Sequence, residues 1–250
     1  MPGRWVACPL LLVILGATSV LSPAVADARR KHRTLAYPEG TTVLTRPAKL
    51  SRWAFVEHRA FARERPSYRS KAVARLRLQT SEYTNEIALV LEEWRDPKGR
   101  LWARVRLPIR PNGSTGWVRR GALGNYRRVR TWLKISRRHT EAVLRRGGKV
   151  VFRTRIGIGR SYWPTPRGQF YIRSRVAGFN SPVYGPIAFG TNARSPVLTD
   201  WPGGGMIGIH GTNEPSLIPG RISHGCIRMR NHRIRRLARL MPVGTPLTIR

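Results

Sequence analysis

The sequence predicts a mainly β protein with one short helix near its C-terminus. Short runs rich in β-branched and aromatic residues recur along it, among them IALVLEEW (87–94), KVVFRTRIGIG (149–159) and QFYIRSR (169–175); such runs favour strands. Turn-forming steps separate them, including Asp96-Pro97, Lys98-Gly99 and Pro111-Asn112-Gly113. Only after Asn231 do apolar residues fall at helical spacing, as Ile234, Leu237, Ala238 and Met241.

Taken in order, residues 1–26 read as a signal peptide. Arg4 supplies the charged start, an apolar run follows, and Ala24-Val25-Ala26 offers a cleavage site before Asp27. Pro9 and the stretch Gly16 to Ser19 interrupt the apolar run, so it makes a poor bilayer span. The expectation is an extracytoplasmic protein, in the cell wall or periplasmic space, with no stable membrane insertion after cleavage. Residues 27–40 form a basic linker.

Residues 41–122 read as a β module. IALVLEEW and LWARVRLPI (101–109) flank a turn, and PNGSTGWVRRGAL adds a second turn and a closing strand. SRWAFVEHRAFARERPSYRS (51–70) reads as a long loop or a short helix. A second domain spans 125–250, with strands at TWLKISRR (131–138), 149–159, 169–175, MIGIHG (206–211) and the terminal TPLTIR. Asn231 is the expected N-cap of the helix, which Pro242 and Gly244 end. The aromatic, Gly- and Pro-rich run from Phe179 to Gly205 precedes His210 and reads as a lid, which makes Tyr184 and Trp201 candidate substrate contacts.

The formal net charge is +35, from 47 Lys and Arg against 12 Asp and Glu. A charge of this size speaks to partners rather than fold. Export argues against nucleic acid and leaves anionic lipid headgroups or anionic cell-wall polymers as counterparts. The chain has two cysteines, and Cys8 leaves with the signal. Cys226 then stands alone in an oxidising compartment, where a lone thiol is a reactive group or a small buried hydrophobe.

Its neighbours argue for reactivity. HGTNEPSLIPGRISHGC (210–226) joins His210, His224 and Cys226 in one short stretch. These three could hold a catalytic zinc. Residues 125–250, however, hold 24 Lys and Arg against Glu141, Asp200 and Glu214 alone, and that field repels a cation. No metal and no cofactor are expected. A cysteine nucleophile fits better, because a thiol beside His in a positive field should titrate below its reference of about 8.5. If 223–227 is extended, His224 and Cys226 project to one side, and Gly225 between them allows a close approach. His210 could reach the same point from a neighbouring strand, so spacing leaves two histidines competing for the role of base.

IHGT (209–212) followed by SHGCIRM (223–229), with TPRGQF (165–170) ahead of them, resembles the signature of the L,D-transpeptidase catalytic domain. The resemblance covers about residues 125–250, and GWVRRGAL resembles the end of a bacterial SH3-like domain. It implies an L,D-transpeptidase-type β-sandwich with a short helix after the Cys motif, preceded by a small SH3-like β-barrel. It also assigns roles. Cys226 would be the nucleophile, His210 the base, and the Gly211 carbonyl the group that orients its imidazole. Ser223 and His224 would shape the site, with backbone N–H groups of His224, Gly225 and Cys226 as an oxyanion hole. Arg228 would support the loop or bind a substrate carboxylate. One departure is Arg233, where family members often carry Asp.

The implied activity is a peptidoglycan L,D-transpeptidase acting on stem peptides and forming 3→3 cross-links through a Cys226 thioester. The alternatives are an L,D-carboxypeptidase that trims tetrapeptide stems and a non-catalytic wall-adhesion protein.

Overall fold

A computed structural model describes residues 38–177, 181–200 and 204–250. The expected signal peptide, most of the basic linker and Trp201 lie outside the described residues. The chain is mainly β, as expected, and its strands form two sheets.

The first sheet contains β1 (Thr42–Val43), β2 (Ser51–Phe55), β3 (Ala60–Arg63), β4 (Ala72–Leu76), β5 (Ile87–Arg95), β6 (Leu101–Arg106), β7 (Thr115–Arg119) and β8 (Arg127–Val129). Its order is β4-β3-β7-β6-β5-β2-β8, with β1 also pairing β5. The apolar start of β5 shows no polar alternation because both of its faces are covered. Ala88 and Val90 join Ala54, Val105 and Val118 in one core, whereas Ile87, Leu89 and Leu91 face the other way, onto Trp53 and Tyr171. Side chains alternate across a strand, so one run can serve two cores.

Two expectations need correcting here. Residues 51–70 supply β2 and β3 rather than a loop or helix. Trp53 pairs with Leu89 and Arg52 with Val90, and Ala54 and Ala62 are fully buried, so sheet packing overrides the polar residues between them. The first sheet also runs past residue 122, because β8 pairs with β2 through Val129.

The second sheet contains β9 (Thr131–Ser136), β10 (Glu141–Arg146), β11 (Lys149–Arg155), β12 (Gly157–Gly159), β13 (Gly168–Ala177), β14 (Ile187–Arg194), β15 (Met206–His210), β16 (Gly220–Ser223), β17 (Ile227–Arg228) and β18 (Pro246–Ile249). Their order is β11-β10-β9-β18-β13-β14-β15-β17-β12-β16. Helix α1 (Asn231–Leu240) buries Ile234, Leu237 and Ala238 against it, on the face the spacing predicts. Among the described residues, no helix is long and apolar enough to cross a membrane.

β14 corrects the lid reading. Eight residues of that run form a strand between β13 and β15, with Phe189 and Ala193 in the core. The helix start differs too. Arg230 is the N-cap, without a side-chain cap bond, and Asn231 is already helical. Its Oδ1 instead accepts the Thr212 N–H at 2.9 Å.

The two sheets share polar and apolar contacts. The Tyr171 hydroxyl donates to the Ile87 carbonyl at 3.0 Å. Arg173 makes a two-pronged ion pair with Glu86, Nε to Oε1 at 2.7 Å and Nη2 to Oε2, and both side chains are buried. Asn112 brackets the Arg194 backbone, donating from Nδ2 to its carbonyl and accepting its N–H at Oδ1. The Trp53 ring fills the notch above Gly244, where any Cβ would collide with it.

Candidate active site

The thiol and the buried histidine are brought together by strand register. β15 and β17 run parallel, with Ile209 opposite Ile227 and His210 opposite Arg228, which sets Gly208 beside Cys226. The Gly208 N–H donates to Cys226 Sγ at 3.3 Å. A Cβ built on Gly208 would stand 3.9 Å from Cys226 Sγ and 3.9 Å from His210 Cδ2, so residue 208 lies between the two reactive groups.

His210 ends β15 and is 3 % exposed. Its Nδ1 lies 2.7 Å from the Gly211 carbonyl oxygen. A carbonyl only accepts, so Nδ1 carries the proton and Nε2 is left as the basic nitrogen. Burial is the main cause that lowers the His210 pKa from 6.5 to about 4; the Gly211 carbonyl opposes this shift and Arg228 adds to it. Tyr184 meets the imidazole edge-on, with ring centres 5.0 Å apart.

The nucleophile loop is held by two hydroxyls. Ser223 Oγ donates to the Cys226 carbonyl at 2.6 Å and accepts the Gly225 N–H at 3.1 Å. From the preceding motif, Thr165 Oγ1 donates to the Gly225 carbonyl at 2.7 Å and accepts the Gly159 N–H at 2.9 Å. Gly225 has φ of +118°. Side chains rarely adopt that conformation, so the glycine is needed here for the turn of the backbone.

This turn separates the two histidines. Residues 223–227 are not extended, because β16 ends at Ser223 and β17 begins at Ile227. His224 points to the surface and stacks on Trp163, with ring centres 4.0 Å apart and planes 30° apart. His210 shares with the thiol the space over Gly208. Burial also lowers the His224 pKa, with Arg160 and Arg228 adding to the effect.

One further expectation changes. Burial pushes the Cys226 thiol above its ordinary value, and this outweighs the Gly208 N–H and Arg228, which pull it down. The positive charge lies mostly on the solvated surface, whereas the sulfur sits against β15. Arg228 is already engaged: its Nη1 lies 2.7 Å from Glu214 Oε2. It therefore supports the loop that leads from β15 to β16.

The structure thus gathers Cys226, His210, Gly211, Ser223, Gly225 and Tyr184, and leaves His224 and Arg228 at the rim. Sequence reading missed three residues. Thr165 lies in a motif that gave it no role, Trp163 carries no sequence signal of its own, and Asn231 reads as a cap. Asn231 Oδ1 sits against Gly185 and Gly211, where a Cβ on either would strike it, so the amide braces the segment that orients His210. Chemically, a neutral imidazole with its Nε2 basic, next to a thiol, can support acyl transfer through sulfur.

Residues 130–249 match the family model YkuD, described as the L,D-transpeptidase catalytic domain. A Bacillus subtilis protein named as the L,D-transpeptidase YkuD is 37% identical over 94 residues, which cover 38% of this chain and 50% of that protein. The chain therefore spans about half the length of that relative. Another Bacillus subtilis protein, named as the L,D-transpeptidase YqjB, is 28% identical over 123 residues, covering 46% of this chain and 68% of that one. Among solved structures, the catalytic domain of an Enterococcus faecium L,D-transpeptidase is 23% identical, with a TM-score of 0.38, covering 48% of this chain and 96% of that chain. A Mycobacterium smegmatis L,D-transpeptidase is 14% identical, with a TM-score of 0.39, covering 60% and 90%.

Proposed function

We propose that the protein is an exported peptidoglycan L,D-transpeptidase that works through a Cys226 thioester, a reading supported by the match of residues 130–249 to the L,D-transpeptidase catalytic-domain model. The observation that carries this reading is the His210–Gly211 bond, which fixes the imidazole with Nε2 basic on the strand beside the thiol. Cys226 attacks the carbonyl between the third residue and the D-Ala of a donor tetrapeptide stem. His210 takes the thiol proton as the C–S bond forms.

The N–H groups of His224 and Cys226 receive the developing oxyanion, since the Gly225 N–H is spent on Ser223. Collapse breaks the C–N bond, and His210 returns the proton to the departing D-Ala amine. The amine of an acceptor stem then resolves the thioester and gives a 3→3 cross-link. Tyr184 and Trp201 are the residues assigned to substrate, whereas Arg228 holds the loop through Glu214. The first module is assigned an SH3-like role in placing the enzyme on the wall.

The test is mass spectrometry of products formed by the whole chain from a purified tetrapeptide stem. A dimer lacking one D-Ala supports the transpeptidase. A tripeptide alone would make the protein an L,D-carboxypeptidase with water as acceptor. Unchanged substrate would leave wall adhesion as the function.

A further inference from the structure

A cleft of about 1410 Å³ opens between the first sheet and the catalytic domain. Arg59, Arg75, Arg77 and Arg106 line it from the first sheet and its loops. Arg110 and Arg194 close the back. The former donates to the Ser195 carbonyl, the latter to the Pro108 carbonyl, and both reach the Gly204 carbonyl. These two are structural ties, and the other four are not tied in the same way.

The cleft holds two carboxylates, and neither serves the four. Glu86 is consumed by Arg173, and Glu57 lies with its head against Gly124. Among the described residues, no carboxylate pairs with Arg59, Arg75, Arg77 or Arg106. Arg106 is the most exposed to this shortage in energetic terms. Its Nε is buried without an acceptor, and its Nη1 makes one long bond, 3.4 Å, to the Gly113 carbonyl. Burial, with Arg104 adding to it, also lowers its basicity. A dispersed basic surface keeps each guanidinium in water, whereas here a concave wall gathers several and focuses their field.

We propose that this cleft binds a polyvalent oxyanion, the successive phosphate or carboxylate groups of a linear polymer, at a site separate from the thiol. Guanidinium forks match both oxyanions in two-pronged geometry. The assignment stands on the cleft alone, so it holds whether the thiol forms cross-links or trims stems.

Binding of short-chain polyphosphate and of poly-L-glutamate to the whole chain, measured by calorimetry at several salt concentrations, tests it. Arg75→Gln/Arg77→Gln should weaken binding about tenfold or more and lower the salt slope by about one per guanidinium removed. Arg138→Gln/Arg236→Gln removes the same charge from exposed sites elsewhere and should change binding far less. Arg59→Gln, on an exposed loop, gives an independent reading of the cleft. A preference between the two polymers identifies the oxyanion. Equal losses in the two double variants, or no binding of either polymer to the wild type, would overturn the proposal.

Discussion

Neutral His210 makes a prediction that both stability and chemistry can check. Its pKa is lowered from 6.5 to about 4, mainly by burial. An unfolded chain takes up a proton at this residue below about pH 6.5, and the folded protein does so only near pH 4. The contribution is therefore present above the unfolded pKa and is lost as pH falls through the folded one. At 1.36 kcal/mol per pH unit, the loss between neutral pH and pH 4 comes to ~3 kcal/mol. His210→Asn keeps an amide N–H able to reach the Gly211 carbonyl and removes the titration. Urea melts of both proteins across this range should therefore converge, with the wild type losing ~3 kcal/mol more than the variant. At pH 7 the pair is a thiol and a neutral imidazole, so single-turnover acylation by a carbapenem should stay level from neutral pH down to about 5. Parallel stability curves, or an imidazole that titrates near 6.5 by NMR in the folded protein, would refute the reasoning.

Three other outcomes follow from the geometry. Cys226→Ser should abolish acylation while preserving the melting temperature, and alkylation of the wild-type thiol should report a pKa above its ordinary value; a pKa below that value would contradict the burial argument. Thr165→Val should cost ~2 kcal/mol of stability, because the Gly225 carbonyl and Gly159 N–H lose their buried partner, and acylation should slow as the loop loosens. Melts and single-turnover rates check both. Glu86→Ala should cost about 3–5 kcal/mol by stranding Arg173, and Glu86→Ala/Arg173→Met should recover much of it; a double-mutant cycle by denaturant melts measures the coupling.

The strands around the Asp96-Pro97 and Lys98-Gly99 turns were legible because apolar runs and turn residues agree there. β14 was not, since Gly190 and Asn192 are poor strand formers. The fold uses both for particular partners: Gly190 leaves room for Ser174 Oγ, and Asn192 receives the Tyr171 N–H and donates to the Leu107 carbonyl. The histidines show a similar limit. Spacing leaves His210 and His224 competing for the role of base, and the turn at Gly225 sends His224 to the surface. Thr165 meets a backbone carbonyl 60 residues away, and no local pattern encodes that. The thiol's pKa was misjudged because composition counts charges without saying where the sulfur is buried.

The ion pair of Arg173 and the hydroxyl of Tyr171 give the molecule a short mechanical path. Both side chains leave β13, whose Arg175 faces Phe189 of β14, and Phe189 in turn faces Ile209, the residue before His210. Ile209 then faces Ile227, the residue after Cys226. Tension applied to the first sheet would enter at the buried clamp and cross three ladders of backbone hydrogen bonds. At the far end it would bear on the strands that carry the imidazole and the sulfur.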